Sequence, residues 1–419
     1  MVNNDLFVLS DLLIDGTGRE PLQGGIVHIN AGTIKEVGQE GDFTIPRNAT
    51  LIDGSGFTLL PGLIDAHIHL TGRRRTDWVG QYDAVLRTSR AIADAYNLLE
   101  HGVTAARCCG SPYTPGIKRA IEEGTIVGPR LVTAGAYISQ TCGHGDIHHL
   151  PYIWAQQIRV IADGVPACRR AVRQQLRQGA DFIKVMAGGG TSSQLDELEH
   201  PQFSVDELRA MVSEAHSAGK PIAAHAHGLT PIKHALDCGV DVIEHGTAID
   251  EAAAQQVVDT GRYIVRNCYT PIRVYEQTQG FTNQRDYTDW AFRRHKINFH
   301  HNQVSVRLCR QKGCKQAIGP DVTGCEPYDV IPKTMKAFME LGGYTGLEAI
   351  SCCTQTGSEV LGLSDKIGTL ERDKFADLIL VEGNPLRDIM VLAPKRSIRL
   401  VMKGGQTIIN RRVPVSATN

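Results

Sequence analysis

What the sequence lacks already argues against several classes of protein. Its eleven cysteines are an odd number with no CxxC framework, which favours free thiols in a reducing cytosol over disulfides. No run reaches about 18 apolar residues, so we expect no membrane span. The start of the chain has no basic segment followed by an apolar one, so it does not resemble a secretory signal. We therefore expect a cytoplasmic protein.

The chain also lacks an excess of charge of either sign. Its formal net charge is −1 over 419 residues, so no global field favours nucleic acid or an anionic membrane as a partner. A chain of this length has room for a large core and one to three domains. We expect the partner to be a small-molecule substrate, and the sequence leaves a homo-oligomer open.

The two ends of the chain share a β-rich character. Residues 1–57 contain short alternating runs cut by turn signals, and NAGTIKEVG predicts a hairpin between two of them. Residues 366–419 repeat this pattern. Because neither segment is long enough for a good core alone, we predict that both meet in one small composite β-sandwich.

The middle of the chain, residues 58–365, alternates apolar strand-like runs with helical stretches. The eight runs are PGLIDAHIHL, GVTAARCCG, PRLVTAGAYIS, DFIKVMAGGG, PIAAHAHG, VDVIEHGT, RYIVRNCYT and KQAIGPDVTG. The clearest helix starts after Ser204, which forms a capping box with Glu207, and it stops at Gly219. Buried strands that alternate with helices predict an α/β fold, here a (β/α)8 TIM barrel. An open doubly wound sheet would be expected to carry a glycine-rich nucleotide fingerprint, and HIHLTGRRR is not one.

Potential metal ligands recur where these strands end. The C-terminal ends of barrel strands converge on one mouth. The side chains at those ends are His67, His69, Lys184, His225, His227, His245 and Asp321. Imidazole and carboxylate groups suit Zn, Mn, Fe or Co. Core packing does not explain so many polar groups, because each buried group without a partner costs roughly 1–3 kcal/mol. We therefore predict a metal site.

Lys184 is the unusual member of this set, because it lies in a run that should be buried. A buried ammonium beside dications is strongly unfavourable, so we expect Lys184 to be neutral or modified. A lysine carbamylated by CO2 presents two oxygen donors, which are enough to bridge two metals about 3.5–4 Å apart. The alternative is that Lys184 extends to the mouth and binds substrate.

The motifs resemble a known family over nearly the whole chain. PGLIDAHIHL, FIKVMAGGG, AAHAHG and VIEHG, with the late Asp321, resemble the binuclear-metal branch of the amidohydrolase superfamily. GVTAAR, GPRLVTAGAYISQTCGHGD and LGLSDKIGTLERDKFADLILVEGNPL are similar to its imidazolonepropionase-related group. That group includes prolidase-like, Xaa-Arg dipeptidase-like and ochratoxin amidase-like members. Two departures are Pro320, where the family usually has threonine, and Cys108, where it often has aspartate.

The resemblance implies ligands to two divalent metal ions, which are His67, His69, Lys184, His225, His245 and Asp321. The two histidines of the HxH pair and the aspartate would hold the first ion, and the other two histidines the second. The lysine, carbamylated, would bridge both ions. The ligand types make zinc the expected metal.

This site predicts a reaction. A hydroxide that bridges two dications is a nucleophile at neutral pH, because the metals lower the pKa of water from about 15.7 to about 7. Asp321 can accept its proton on attack and later give it to the leaving amine. His227 is placed to polarise the scissile carbonyl, and His144 to contact the substrate or its oxyanion. The Gly/Ser-rich loop of residues 188–201 should close over the substrate.

The resemblance implies hydrolysis of the amide bond of N-acyl amino acids or dipeptides, with ochratoxin-type amides as a further possibility. The alternatives are a cyclic amide or imide hydrolase, a mononuclear deaminase and a non-catalytic metal-binding scaffold. A deaminase normally works without a carbamylated lysine, so Lys184 argues against it. Arg107, Arg262 and Arg266 are candidates to bind a substrate carboxylate, although arginines in such places are more often structural.

Overall fold

A computed structural model describes residues 5–74, 83–146, 159–284, 287–323 and 328–418 of the chain. Its strands, in chain order, are β1 (Leu6–Leu13), β2 (Leu22–Asn30), β3 (Thr33–Gln39), β4 (Thr50–Ile52), β5 (Phe57–Pro61), β6 (Leu63–Ile68), β7 (Val103–Cys108), β8 (Arg130–Thr133), β9 (Ile138–Ser139), β10 (Val160–Ile161), β11 (Ile183–Met186), β12 (Ile222–Ala226), β13 (Val242–His245), β14 (Tyr263–Arg266), β15 (Lys315–Ile318), β16 (Leu378–Glu382), β17 (Ile398–Lys403), β18 (Gln406–Asn410) and β19 (Val415–Ala417).

The α-helices are α1 (Ala84–Glu100), α2 (Thr114–Glu122), α3 (Val165–Arg177), α4 (Val205–Ser217), α5 (Leu229–Cys238), α6 (Glu251–Asp259), α7 (Tyr269–Gln277), α8 (Asp289–Lys312), α9 (Val330–Gly342), α10 (Gly346–Cys353) and α11 (Gln355–Val360). The capping box expected before α4 is formed, with the Ser204 side chain accepting from the backbone N–H of Glu207. Gly219 follows the end of this helix at a φ of +66°, a conformation that favours glycine.

The two ends of the chain share one nine-stranded sheet. β1 pairs antiparallel with β2 on one edge, and parallel with β4 and β5 on the other. β5 pairs antiparallel with β16, so the first and last segments lie in one hydrogen-bonded ladder that includes residues up to Pro61. The hairpin predicted for NAGTIKEVG is the β2–β3 turn. Fully buried Val8, Leu59, Leu378 and Leu400 belong to the core of this sheet.

The middle of the chain forms eight parallel barrel strands, one for each predicted run. β6, β7 and β8 make one arc, and β11 to β15 make the other. The backbone N–H of Asp181 donates to Thr133 O at 2.7 Å across one seam, and a parallel bridge pairs Ile68 with Val322 across the second. The run PRLVTAGAYIS divides into β8 and the short β9, which pairs with β10 and β11.

The interior of the barrel contains an apolar layer that supports the polar side chains above it. Each strand, or the residue just before it, contributes one of the side chains Ile64, Ala105, Val132, Phe182, Ala223, Val242, Val265 and Ala317. Layers of this kind fill the interior of α/β barrels. Polar groups at the C-terminal ends of the strands therefore lie on an apolar floor.

The longest helix, α8, has an unusual buried face. Among its 24 residues, the buried positions include Arg294, Asn298, Asn302 and Ser305. Helices on barrels normally bury apolar stripes. The polar stripe of α8 therefore needs partners inside the protein, and Arg294 and Asn298 find theirs at the mouth of the barrel.

All ten cysteines in the described residues are free thiols, and Cys325 lies outside those residues. No helix in the described part of the chain combines the length and apolarity needed to cross a membrane.

Candidate active site

The HxH pair places two ring nitrogens at one point. His67 Nε2 and His69 Nε2 are 3.3 Å apart. His67 Nδ1 lies 2.7 Å from Glu244 Oε2, and His69 Nδ1 lies 3.0 Å from the carbonyl oxygen of Gly110. Since an ionised carboxylate and a carbonyl can only accept, each Nδ1 carries the ring proton. Both Nε2 atoms therefore direct lone pairs at the same place.

Asp321 adds a third acceptor to this point. Its Oδ1 lies 3.2 Å from His69 Nε2 and 3.5 Å from His67 Nε2. Burial raises the pKa of Asp321, but the neighbouring histidines and Lys184 outweigh burial and lower it below the usual value, so the carboxylate is ionised at neutral pH. Three lone-pair atoms that face one another without a hydrogen repel, unless a cation lies between them.

A second group of nitrogens adjoins the first. The ring centroids of His225 and His245 are 4.6 Å apart, and those of His227 and His245 are 4.4 Å apart. His225 Nε2 lies 3.3 Å from the carbonyl oxygen of Gly189, which leaves Nδ1 with the lone pair. His245 Nδ1 is buried and has no hydrogen-bond partner among the described residues.

These side chains form two overlapping groups of potential metal ligands. In the first, one ligand atom each from His67, His245 and Asp321 lies within 4.8 Å of the others. In the second, the same holds for His225, His227 and His245. Burial lowers the pKa of His67, and it lowers the pKa of His225 and His245 further. These three rings are therefore neutral near pH 7, which is the form that binds metals.

Lys184 lies among these groups and is 1% exposed. No residue in the described part of the chain forms a hydrogen bond or an ion pair with its ammonium. Its charge contributes to lowering the pKa of His225, His245 and Asp321. An ammonium without a partner is an unfavourable occupant of a buried site.

Two of the site residues have strained backbones. His245 has a φ of +69° and Asp321 a φ of +62°, and neither is glycine. Non-glycine residues adopt positive φ at a cost of order 1 kcal/mol or more, and such strain concentrates at functional sites. The backbone N–H of Asp321 donates to His67 O at 2.9 Å, which holds the aspartate beside the HxH pair.

Glu244 is a functional residue that the sequence analysis missed. It is fully buried, and its second oxygen accepts from Arg107 at 2.6 Å. Burial opposes ionisation of Glu244, but Arg107 and His67 outweigh it and lower its pKa. A signal for this role was present in the sequence, because an acid interrupts the apolar run VDVIEHGT directly before His245.

The three arginines considered for a substrate carboxylate are structural. The buried guanidinium of Arg107 pairs with Glu244, and that of Arg266 donates to Gly246 O at 2.6 Å. Arg262 donates to Leu236 O at 2.5 Å. Each guanidinium group thus binds an acceptor within the protein, which agrees with the expected structural role.

His144 stacks on the ring of His225, with the centroids 4.3 Å apart. His144 Nδ1 lies 2.7 Å from Ser193 Oγ and 3.5 Å from Asp196 Oδ2. The loop that supplies both partners is held by Arg294 of α8, which donates to the carbonyl oxygens of Gly190, Ser193 and Asp196. The loop predicted to close over the substrate is therefore anchored in place, and its Ser193 and Asp196 hold the ring of His144.

His227 also reaches the mouth. Its Nδ1 lies 2.8 Å from Thr247 Oγ1 and 3.2 Å from Asn298 Nδ2. Burial lowers the pKa of His227 to about 3. The structure thus brings together the histidines and Asp321 proposed from the sequence, with Lys184 among them, while Glu244, Arg294 and Asn298 were not anticipated.

The geometry agrees with comparisons to known proteins. A family model described as the amidohydrolase family matches residues 58–408. Ochratoxinase from Aspergillus niger is 32% identical over 425 aligned residues, covering 95% of this chain and 85% of that protein. The crystal structure of A. niger ochratoxinase has a TM-score of 0.88 at 29% identity and covers 98% of this chain and 96% of that chain. A Xaa-Pro dipeptidase crystallised with methionine in its active site has a TM-score of 0.86 at 28% identity, covering 96% and 99%.

Replacing Glu244 tests whether this carboxylate orients His67 as a metal ligand. Glu244→Gln removes the carboxylate that orients His67 and leaves Arg107 without its anion, so we expect metal affinity to fall by roughly 10–100-fold. Competition with a fluorescent zinc chelator measures this affinity. Glu20→Gln, on an exposed loop, is the matched control. Unchanged affinity in Glu244→Gln would contradict the role assigned to this carboxylate.

Proposed function

This chain belongs to the amidohydrolase family, and we propose that it is a metal-dependent enzyme that hydrolyses the amide bond of an N-acyl amino acid or a dipeptide. The observation that carries the proposal is the convergence of His67 Nε2, His69 Nε2 and Asp321 Oδ1 on one point. The similarity to an ochratoxinase and a Xaa-Pro dipeptidase, each over nearly the whole chain, supports the reaction class.

Two divalent ions, with zinc expected, are proposed for this site. His67, His69 and Asp321 would hold the first ion, and His225 and His245 the second. The donor set supports this fit, because the overlapping groups place neutral rings and a carboxylate around two adjacent positions. The buried Nδ1 of His245, which has no other partner in the described residues, gives independent support.

Lys184, when carbamylated, would provide a ligand to both ions. The neutral amine of Lys184 attacks CO2, a bond forms between Nζ and carbon, and the proton leaves to solvent. The product is an anion with two oxygens where the unmodified side chain would place a cation. The lack of an ion pair for the lysine among the described residues supports this modification.

The proposed mechanism assigns a task to each residue at the mouth. Two ions held by these residues would supply an activated water and would polarise the scissile carbonyl. Asp321 accepts a proton from the attacking water and delivers it to the leaving nitrogen as the carbon–nitrogen bond breaks. His227 donates a hydrogen bond to the carbonyl oxygen, and His144 contacts the substrate. The products are a carboxylic acid and an amine.

We also propose that the chain consists of two structural units. Residues 58–365 would form the catalytic barrel, and residues 1–57 with 366–419 a composite β-sandwich. The shared sheet with its own apolar core supports the second unit. The proposed partner of the barrel is a small-molecule substrate.

A substrate screen tests the proposed function. The zinc-loaded protein is assayed with N-acyl amino acids, dipeptides and an ochratoxin-type amide, and separately with cyclic ureides and aminopurines. We expect turnover only in the first group. Turnover of cyclic ureides alone would favour the cyclic amide alternative, and release of ammonia from aminopurines would favour a deaminase. Absence of turnover with every acylated amino acid would contradict the proposal.

Lys184→Ala tests the bridging carbamate. We expect loss of bound metal and of activity, because the variant lacks the anion between the ions. Short carboxylic acids should restore part of the activity by supplying oxygen donors. Metal content by atomic emission and rates with and without acetate or propionate measure both effects. Lys220→Ala, at the amino end of β12, is the control. Full activity in Lys184→Ala would exclude the carbamate.

Asp321→Asn tests the proton-transfer role. The amide can still approach a metal through its oxygen, but it cannot accept the proton from water. We expect metal to be largely retained while kcat falls by roughly 10²–10⁴-fold. Steady-state kinetics and metal analysis on one preparation separate the two effects, with the exposed Asp365→Asn as control. Near wild-type kcat would remove Asp321 from the mechanism.

A further inference from the structure

The polar stripe of α8 meets the site at His227. Asn298 is 1% exposed, and its Nδ2 lies 3.2 Å from His227 Nδ1. Its Oδ1 is buried and has no hydrogen-bond partner among the described residues. A buried amide with one half satisfied is costly, so its orientation carries information about the group that it faces.

The amide nitrogen of Asn298 has only hydrogens to offer. A contact at 3.2 Å therefore requires a lone pair on His227 Nδ1, since a proton there would face another donor. The ring proton must then lie on Nε2. Turning the amide over would place Oδ1 against the ring, but it would leave two N–H groups where Oδ1 now has no partner among the described residues.

Thr247 is compatible with this assignment but does not decide it. Its Oγ1 lies 2.8 Å from the same Nδ1, and a hydroxyl can either donate or accept. The amide nitrogen of Asn298 can only donate. The tautomer of His227 therefore follows from Asn298 rather than from Thr247.

We infer that Asn298 is a positioning residue that fixes the proton of His227 on Nε2, so that the ring presents an N–H donor to the substrate carbonyl. The inference rests on the proposed function for the use of that donor, but not for its existence. Because α8 also anchors, through Arg294, the loop whose Ser193 contacts His144, one buried helix face positions both rings that would contact substrate.

The tautomer can be read directly by NMR. Histidine labelled with ¹⁵N in the zinc-loaded protein gives long-range ¹H–¹⁵N spectra that distinguish the two neutral tautomers from the cation. At mildly alkaline pH we expect the His227 ring to carry its proton on Nε2, with its signals assigned by their absence in His227→Phe. A wild-type spectrum with the proton on Nδ1 would overturn the inference.

Two variants separate Asn298 from Thr247. Asn298→Asp replaces the donor with a group that only accepts, so we expect a proton to appear on Nδ1 of His227. Thr247→Val removes the hydroxyl but keeps the amide, so the Nε2 proton should remain. The reverse pattern, with the tautomer changed by Thr247→Val and not by Asn298→Asp, would assign the control to Thr247 and refute the inference.

Kinetics on the acylated substrate add a second measure. Loss of one donor to the developing oxyanion typically costs about 10²–10³-fold in kcat. We expect a loss of that size in Asn298→Asp, with KM and zinc content near wild type, and a smaller loss in Thr247→Val. A rise in KM and a fall in zinc content as large as the fall in kcat would indicate a merely structural role and count against the inference.

The two proposals can fail separately. An Nε2 proton on His227 together with no turnover of any acylated amino acid would remove the proposed function and leave the positioning role of Asn298 intact. An Nδ1 proton together with normal turnover would refute the positioning role of Asn298 and leave the proposed function intact. If Asn298→Asp does not fold, the wild-type and Thr247→Val spectra still decide the tautomer.

Discussion

The convergence of three lone pairs at the mouth of the barrel is the constraint on which the site depends. His67 Nε2, His69 Nε2 and Asp321 Oδ1 lie within 3.5 Å of one another and have no hydrogen to share. Neutral rings and an ionised carboxylate in this arrangement are stable only around a cation. The surrounding structure maintains it at a cost, visible in the positive φ of Asp321 and in the burial of the Glu244–Arg107 pair.

The groups behind each imidazole decide what the ring offers to the mouth. An acceptor lies behind the outer nitrogens of His67, His69 and His225, namely a carboxylate for the first and a backbone carbonyl for the other two. Each of these rings therefore directs a lone pair inward, as a metal ligand must. Behind His227 lies the amide nitrogen of Asn298, a donor, so the inward nitrogen of this ring carries hydrogen. Chemically identical side chains at the ends of barrel strands thus acquire opposite roles.

The parts of this molecule that follow strand and helix periodicity could be predicted from the sequence. Alternation along β6 placed His67 and His69 on one side, and their nitrogens do meet. The eight apolar runs became the eight barrel strands, and the capping box at Ser204 is formed. The polar stripe of α8 escaped prediction because periodic polar residues on a helix normally indicate a face in water. Nothing local distinguishes Asn298 from a solvated asparagine; only the fold shows what lies opposite.

The anchoring of the loop after β11 shows how such a site can combine a fixed reaction with an adaptable pocket. Arg294 donates mainly to backbone carbonyls of this loop, at Gly190, Ser193 and Asp196, so the path of the loop does not depend on most of its side chains. His144 is then held against His225 by Ser193 and by the Asp196 carboxylate. Exposed positions such as Gln194 and Leu195 are free to differ without moving His144. Substrate preference can therefore change on the loop while the chemistry, fixed by strands and by α8, stays in place.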